Sequence, residues 1–146
     1  MNQEAKQGRA SNLAKLAALC CCLPIVGCGG SSSPYAMVKA SGQVLYEDGS
    51  PIPAESIMIR FDSQESAIDA KTHARPGMAT AGADGKFGEV TTSKYADGIV
   101  RGKHKVQLSA ADAQGKPLIP VIYGSAQTPI EVDSSETPFE FRVPRP

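Results

Sequence analysis

Side chains able to do chemistry are few in this chain and unevenly placed. All four cysteines, Cys20, Cys21, Cys22 and Cys28, lie near the N-terminus. No thiol is left downstream, which excludes a disulfide framework or a Cys-ligated zinc site for everything beyond residue 28. The run Cys20-Cys21-Cys22 is set in an apolar stretch and reads as small hydrophobic residues rather than a metal or redox motif. A hydrolytic site needs a nucleophile, a base and an oxyanion or metal site within mutual reach, and only two histidines, His73 and His104, are available as bases. His73 falls in a polar stretch and reads as a solvated loop residue. His104 shares an apolar face with Val106 and Leu108, so we expect a partly buried histidine hydrogen-bonded at the edge of a sheet. Glu47, Asp48, Asp84, Asp133 and Glu136 have the right chemistry for calcium. They occur only as short pairs, however, without an alternating Asp-x-Asp loop, and read as turn carboxylates. Gly82-x-x-Gly85-x-x-Gly88 precedes a strand pattern rather than a helix, which suits a hairpin turn and not a phosphate cradle. No catalytic residue, no metal site and no cofactor is expected.

The remaining reactive group is the thiol of Cys28, and its surroundings are specific. Residues 1–15 are polar and carry Lys6, Arg9 and Lys15 against Glu4. Residues 16–26 are uncharged and end in Leu23-Pro24-Ile25-Val26. That length suits the apolar core of an export signal and falls well short of the roughly 20 residues a spanning helix needs; Pro24 also opposes a continuous helix. The stretch closes on Ile25-Val26-Gly27-Cys28, which resembles the bacterial lipobox, with Ile25 in place of the commoner leucine. The resemblance implies cleavage between Gly27 and Cys28 and a thioether from Cys28 to diacylglycerol. Acyl chains such as palmitate on Cys28 make the membrane the expected partner, since more than one chain anchors stably where one binds only marginally. Gly29-Gly30-Ser31-Ser32-Ser33-Pro34 then forms a flexible tether. Gly29 stands where some bacteria place an aspartate for inner-membrane retention, so the expected address is the cell envelope, on the outer membrane. The organisation expected is a signal peptide over 1–27, a lipidated cysteine and tether over 28–37, and one domain over 38–146.

Without the leader, the chain is slightly acidic, about −2, which speaks against a nucleic-acid partner. From Val38 onward the apolar pattern has period two. Gly42–Tyr46 precedes the turn chemistry of Asp48-Gly49-Ser50-Pro51. Ile57, Ile59 and Phe61 alternate with Met58 and Arg60. Met78–Ala81 and Phe87–Val90 flank Ala83-Asp84-Gly85-Lys86, a hairpin candidate, with Gly88 a place for a bulge. His104, Val106 and Leu108 share one face of Gly102–Ser109. Ile130 and Val132 alternate with Glu131 and Asp133, and Phe139, Phe141 and Val143 with Glu140 and Arg142. About seven short strands, each with one apolar and one polar face, predict an all-β, antiparallel sandwich. Ser63–Gly77 reads as a long loop with one helical turn at Glu65–Ala70.

Taken in order, Gly42-x-Val44-x-Tyr46, Asp48-Gly49-x-Pro51, Ile57-x-Ile59-x-Phe61, Ala83-Asp84-Gly85-Lys86-Phe87, Asp97-Gly98, Gly102-x-x-Lys105-Val106 and Ile119-Pro120-x-x-Tyr123 resemble the carboxypeptidase-regulatory-like (transthyretin-like) lipoproteins of planctomycete bacteria. The resemblance spans roughly residues 38–143 and implies a seven-stranded prealbumin-like or immunoglobulin-like sandwich without implying an activity. The purine-breakdown hydrolases that share this fold close on Tyr-Arg-Gly-Ser; here the chain ends Arg142-Val143-Pro144-Arg145-Pro146, and Tyr123-Gly124-Ser125 is internal and lacks the arginine. A self-formed Lys–Asn bond is excluded after the leader, where no asparagine occurs. The reading is therefore a membrane-anchored module that contacts an envelope protein or a wall component without catalysis. The alternative is a solute- or glycan-binding module using the loops Ser63–Gly77 and Ala110–Gln127, with Tyr95 and Tyr123, besides Tyr35, as the aromatic contacts; a hydrolase ranks third. Against a glycan stands the small aromatic supply, with no tryptophan, four tyrosines and four phenylalanines.

Overall fold

The computed structural model describes residues 33–146, which form one compact unit. The signal peptide, Gly27, Cys28 and the first part of the tether lie outside the described residues. Among the described residues nine strands run in the order β1 (Met37–Val38), β2 (Gly42–Tyr46), β3 (Ile57–Ser63), β4 (Gly77–Ala81), β5 (Lys86–Phe87), β6 (Ile99–Val100), β7 (Lys103–Ser109), β8 (Glu131–Asp133) and β9 (Phe139–Val143), with short 3-10 helices at Val121–Gly124 and Ser134–Glu136. No α-helix occurs among the described residues. Six of the seven expected strands are present, β5 keeps only Phe87 of the expected Phe87–Val90 and takes in Lys86, and β1 and β6 are added as a two-residue antiparallel pair. Such short strands carry no alternation to read, which is why the sequence left them out.

The strands form a four-stranded sheet, β4-β3-β7-β8, a three-stranded sheet, β5-β2-β9, and the β1-β6 pair. Alternation decides which side chains turn inward. In β3, Ile57, Ile59 and Phe61 are buried while Met58 and Arg60 are exposed, and β9 repeats the pattern with Phe139, Phe141 and Val143. Phe61 of the larger sheet meets Phe87, Phe139 and Phe141 of the smaller at ring-centroid distances of 6.1, 5.7 and 6.2 Å, so the sheets face each other across one aromatic core. Phe87 and Phe141 stack nearly parallel, 4° apart. Rings in such offset arrangements add about 0.5–1.5 kcal/mol each beyond the area they bury. The result is an all-β, sandwich-like fold.

One pairing departs from the antiparallel expectation. β2 and β9 run parallel, with Val44 opposite Phe141 and Tyr46 opposite Val143. Parallel neighbours need a long crossover, and the whole four-stranded sheet is threaded between these two strands. The pair closes tightly at its start: a Cβ on Gly42 would lie 2.2 Å from the Phe139 carbonyl oxygen, so only glycine fits. The expected hairpin at Asp84-Gly85 also does something different from joining sheet neighbours. Its turn is present, with Gly85 N–H donating to Gly82 O at 2.8 Å, but β4 belongs to the larger sheet and β5 to the smaller. The turn carries the chain from one sheet to the other. The loop over 64–76 has no helical turn; Asp69 bends it instead, its Oδ1 accepting the N–H groups of Lys71 and Thr72 at 2.7 and 2.8 Å.

Candidate functional site

The histidines do not converge with a nucleophile. His73 is exposed in the 64–76 loop. His104 is 1 % exposed on β7, edge-on to Phe61, with its Nε2 2.7 Å from the Val100 carbonyl oxygen. A carbonyl at that distance requires a proton on Nε2, and among the described residues Nδ1 has no hydrogen-bond partner. Among the described residues neither ring is hydrogen-bonded to a serine or a carboxylate. The expected edge histidine is thus a core histidine.

Among the described residues no three His, Cys, Asp or Glu side chains are grouped to hold a metal. Four of the five turn carboxylates, Asp48, Asp84, Asp133 and Glu136, are engaged in hydrogen bonds. Asp48 accepts from the Ser50 hydroxyl and N–H and from Arg145, and these bonds lower its pKa to about 2. Asp133 and Glu136 form a capping box around the second 3-10 helix, and the Ser135 N–H and hydroxyl hold the Asp133 carboxyl below its ordinary range. Asp84 accepts the Lys86 N–H at 3.0 Å. Among the described residues no helix is long and apolar enough to cross a membrane.

The two candidate tyrosines part company. Tyr123, in the first 3-10 helix, is half-buried and packs against the core. Tyr95 is 76 % exposed. Tyr35 is occupied as a fastener, its hydroxyl 3.2 Å from the carbonyl oxygens of Ser66 and Thr72 on the 64–76 loop.

Tyr95 stands in the loop over 88–98, and that loop is built by polar bonds. The Asp97 carboxylate accepts the N–H groups of Thr92, Ser93 and Lys94 at 2.7, 3.0 and 2.9 Å. Burial alone would raise the Asp97 pKa, but these three donors outweigh it and hold the group ionised below the ordinary range. The Thr92 hydroxyl donates to Gly98 O at 2.6 Å, the Ala96 N–H donates to the Thr91 hydroxyl, and the Lys39 ammonium donates to Ala96 O. Glu89 and Ala96 both adopt positive φ, +43° and +52°, a conformation that persists only where the surroundings enforce it. The Tyr95 hydroxyl donates to Glu89 Oε2, and loss of that proton beside a carboxylate is disfavoured, which raises the tyrosine pKa.

Beside Tyr95 lies an open groove of about 620 Å³. It forms where the 86–91 segment leaves β4 and rejoins it: Gly82 N–H bonds to Lys86 O, and Met78 and Thr91 exchange both backbone bonds at 2.8 Å, with Gly88 and Glu89 turning away between. Met58 of β3 and Met78 of β4 line its floor, 56 % and 36 % exposed. Sequence alternation had put Met58 on the outer face; nothing local connected it with Tyr95. A second groove of about 350 Å³, lined by Leu108, Pro117, Ile119 and Val121, lies beside the Tyr123 segment, but Tyr123 does not line it.

Comparison with protein-family models finds none that matches the chain, and no curated protein or solved structure matches it either.

Proposed function

We propose that the chain is a lipid-anchored module of the bacterial cell envelope whose sandwich-like domain serves contact with an envelope protein or wall component and does not catalyse a reaction. The observation that carries this reading is Ile25-Val26-Gly27-Cys28 at the end of an uncharged stretch that follows a basic segment. A Gly/Ser tether comes next, and the compact unit starts at Ser33 with its first strand at Met37. The order of strand and turn motifs supports kinship with the carboxypeptidase-regulatory-like lipoproteins. On that reading the seven longer or predicted strands are a prealbumin-like or immunoglobulin-like core, and β1 and β6 are additions to it. The engagement of Asp48, Asp84, Asp133 and Glu136 in hydrogen bonds supports the non-catalytic part of the reading. Gly29 supports delivery to the outer membrane.

Cys28→Ala tests the anchor. Growth with a labelled palmitate and fractionation of the envelope should show label in the parent chain and none in the variant, which should also leave the membrane fraction. Retention of the variant in membranes with unchanged mobility would remove the lipid from the account. Cross-linking in intact envelopes tests the rest: the parent should capture a protein or wall component that the released variant loses.

A further inference from the structure

We propose that the groove beneath Tyr95 is a binding site for a neutral saccharide, with the tyrosine ring as its stacking platform. The site does not depend on the anchor, and it can fail while the anchor holds.

An aromatic ring is exposed here on a loop that is otherwise fixed. Tyr95 is 76 % exposed, yet the loop around it is held by the Asp97 carboxylate on three N–H groups and by two positive-φ residues, Glu89 and Ala96. The bond from its hydroxyl to Glu89 also orients the ring. A side chain presented rigidly to solvent loses little conformational freedom when a ligand covers it. The groove beside the ring has the size of a ligand site. At about 620 Å³ it lies within the ordinary range of ligand sites, about 300–1,000 Å³. Two exposed thioethers, Met58 and Met78, give it a polarisable apolar floor.

The charges along the groove balance. Lys86 and Glu89 both line the groove and cancel, so it offers a donor and an acceptor without a net field for an ion. Thr80 and Thr91 add hydroxyls. A neutral pyranose matches this lining: its C–H face covers an aromatic ring, and its rim of hydroxyls both donates and accepts. A phosphate or a polyanion would meet Glu89 without a compensating excess of positive charge, and a purely apolar ligand would cover the Lys86 ammonium without offering it an acceptor.

The full-length chain, in a detergent without a sugar headgroup and with methionine ε-methyl groups labelled for NMR, would be screened against neutral glucan, mannan, galactan and N-acetylglucosamine oligomers, with oligogalacturonate as the anionic contrast. We expect one neutral oligomer to shift the Met58 and Met78 methyl signals while Met37 stays in place. Tyr95→Ala should weaken that binding by about tenfold or more, and Tyr95→Phe by less because the ring remains. The unmoved Met37 signal reports that each variant is folded. Affinity should change little between low and high salt, as expected for a neutral ligand. The proposal is overturned if no neutral oligomer binds at millimolar concentration, if binding survives Tyr95→Ala unchanged, or if oligogalacturonate binds best.

Discussion

The loop over 88–98 and the segment over 117–128 each carry a tyrosine outside the strands, and the balance of polar bonds and packing that holds them differs. The first relies on directed polar bonds, with Asp97 gathering three N–H groups and Thr92 reaching Gly98 O. The second relies on packing. Leu118, Ile119 and Tyr123 lie in or against the core, the Tyr46 hydroxyl donates to Leu118 O at 3.0 Å, and the buried Thr128 hydroxyl donates to Val106 O at 2.7 Å. Apolar docking is non-directional and consumes side chains, whereas backbone hydrogen bonds fix a loop and leave its side chains free. That is why Tyr95 points outward beside a groove while Tyr123 serves the fold.

The comparison can be broken most decisively at its glycines. Gly98 has φ +99°, and a Cβ there would lie 2.1 Å from the Val38 carbonyl oxygen. Gly98→Ala should therefore destabilise by about 3 kcal/mol or more in urea unfolding. In the other segment a Cβ on Gly124 would stand 3.4 Å from Leu108 O, and Gly124→Ala should stay within about 0.5 kcal/mol. Equal effects would erase the distinction between a strained loop and a packed one.

The tyrosines come next in size. Tyr123→Ala should cost about 2 kcal/mol through lost packing, and Tyr95→Ala no more than about 0.5 kcal/mol; reversal of that order in thermal melts would mean that the exposed ring supports the fold. Asp97→Ala should cost about 1 kcal/mol. Because the folded pKa of Asp97 is depressed, its contribution is complete above the unfolded value near 4 and fades as pH falls through the folded one. The variant should therefore lose the parent's acid-dependent change in that window. The smallest effect is spectroscopic. Glu89→Gln removes the carboxylate that raises the Tyr95 pKa, so one tyrosinate should appear at lower pH in ultraviolet titration. In the parent, the bond contributes below the ordinary tyrosine pKa and is lost as pH rises through the raised one.

Part of the site was legible before the fold. Tyr95 stood out as a loop aromatic and alternation turned Met58 outward, whereas Gly88, read as a place for a bulge, lies just past the end of β5 at Phe87. What could not be read was their meeting. The 86–91 segment rejoins β4 at Met78 and Thr91, and only that return sets Tyr95 over methionines from two other strands. Met78, at the start of a short strand, gave no sign of a ligand role. Tyr123, an aromatic between Ile122 and Gly124, looks like loop chemistry, and the packing of Leu118, Ile119 and Tyr123 in or against the core was not legible from those neighbours.

Short-range properties belonged to the sequence alone. Period-two alternation determined which faces of β3, β7 and β9 are buried, and the supply of thiols and imidazoles after residue 28 limited the chemistry open to the domain. Tertiary structure decided the parallel pairing of β2 with β9, the passage of the chain between sheets at the Asp84-Gly85 turn, and the groove under Tyr95. Alternation acts between residues two apart, which is local enough to read along the chain. Pairing direction and groove formation depend on contacts between segments far apart in sequence, and those exist only once the core around Phe61 has closed.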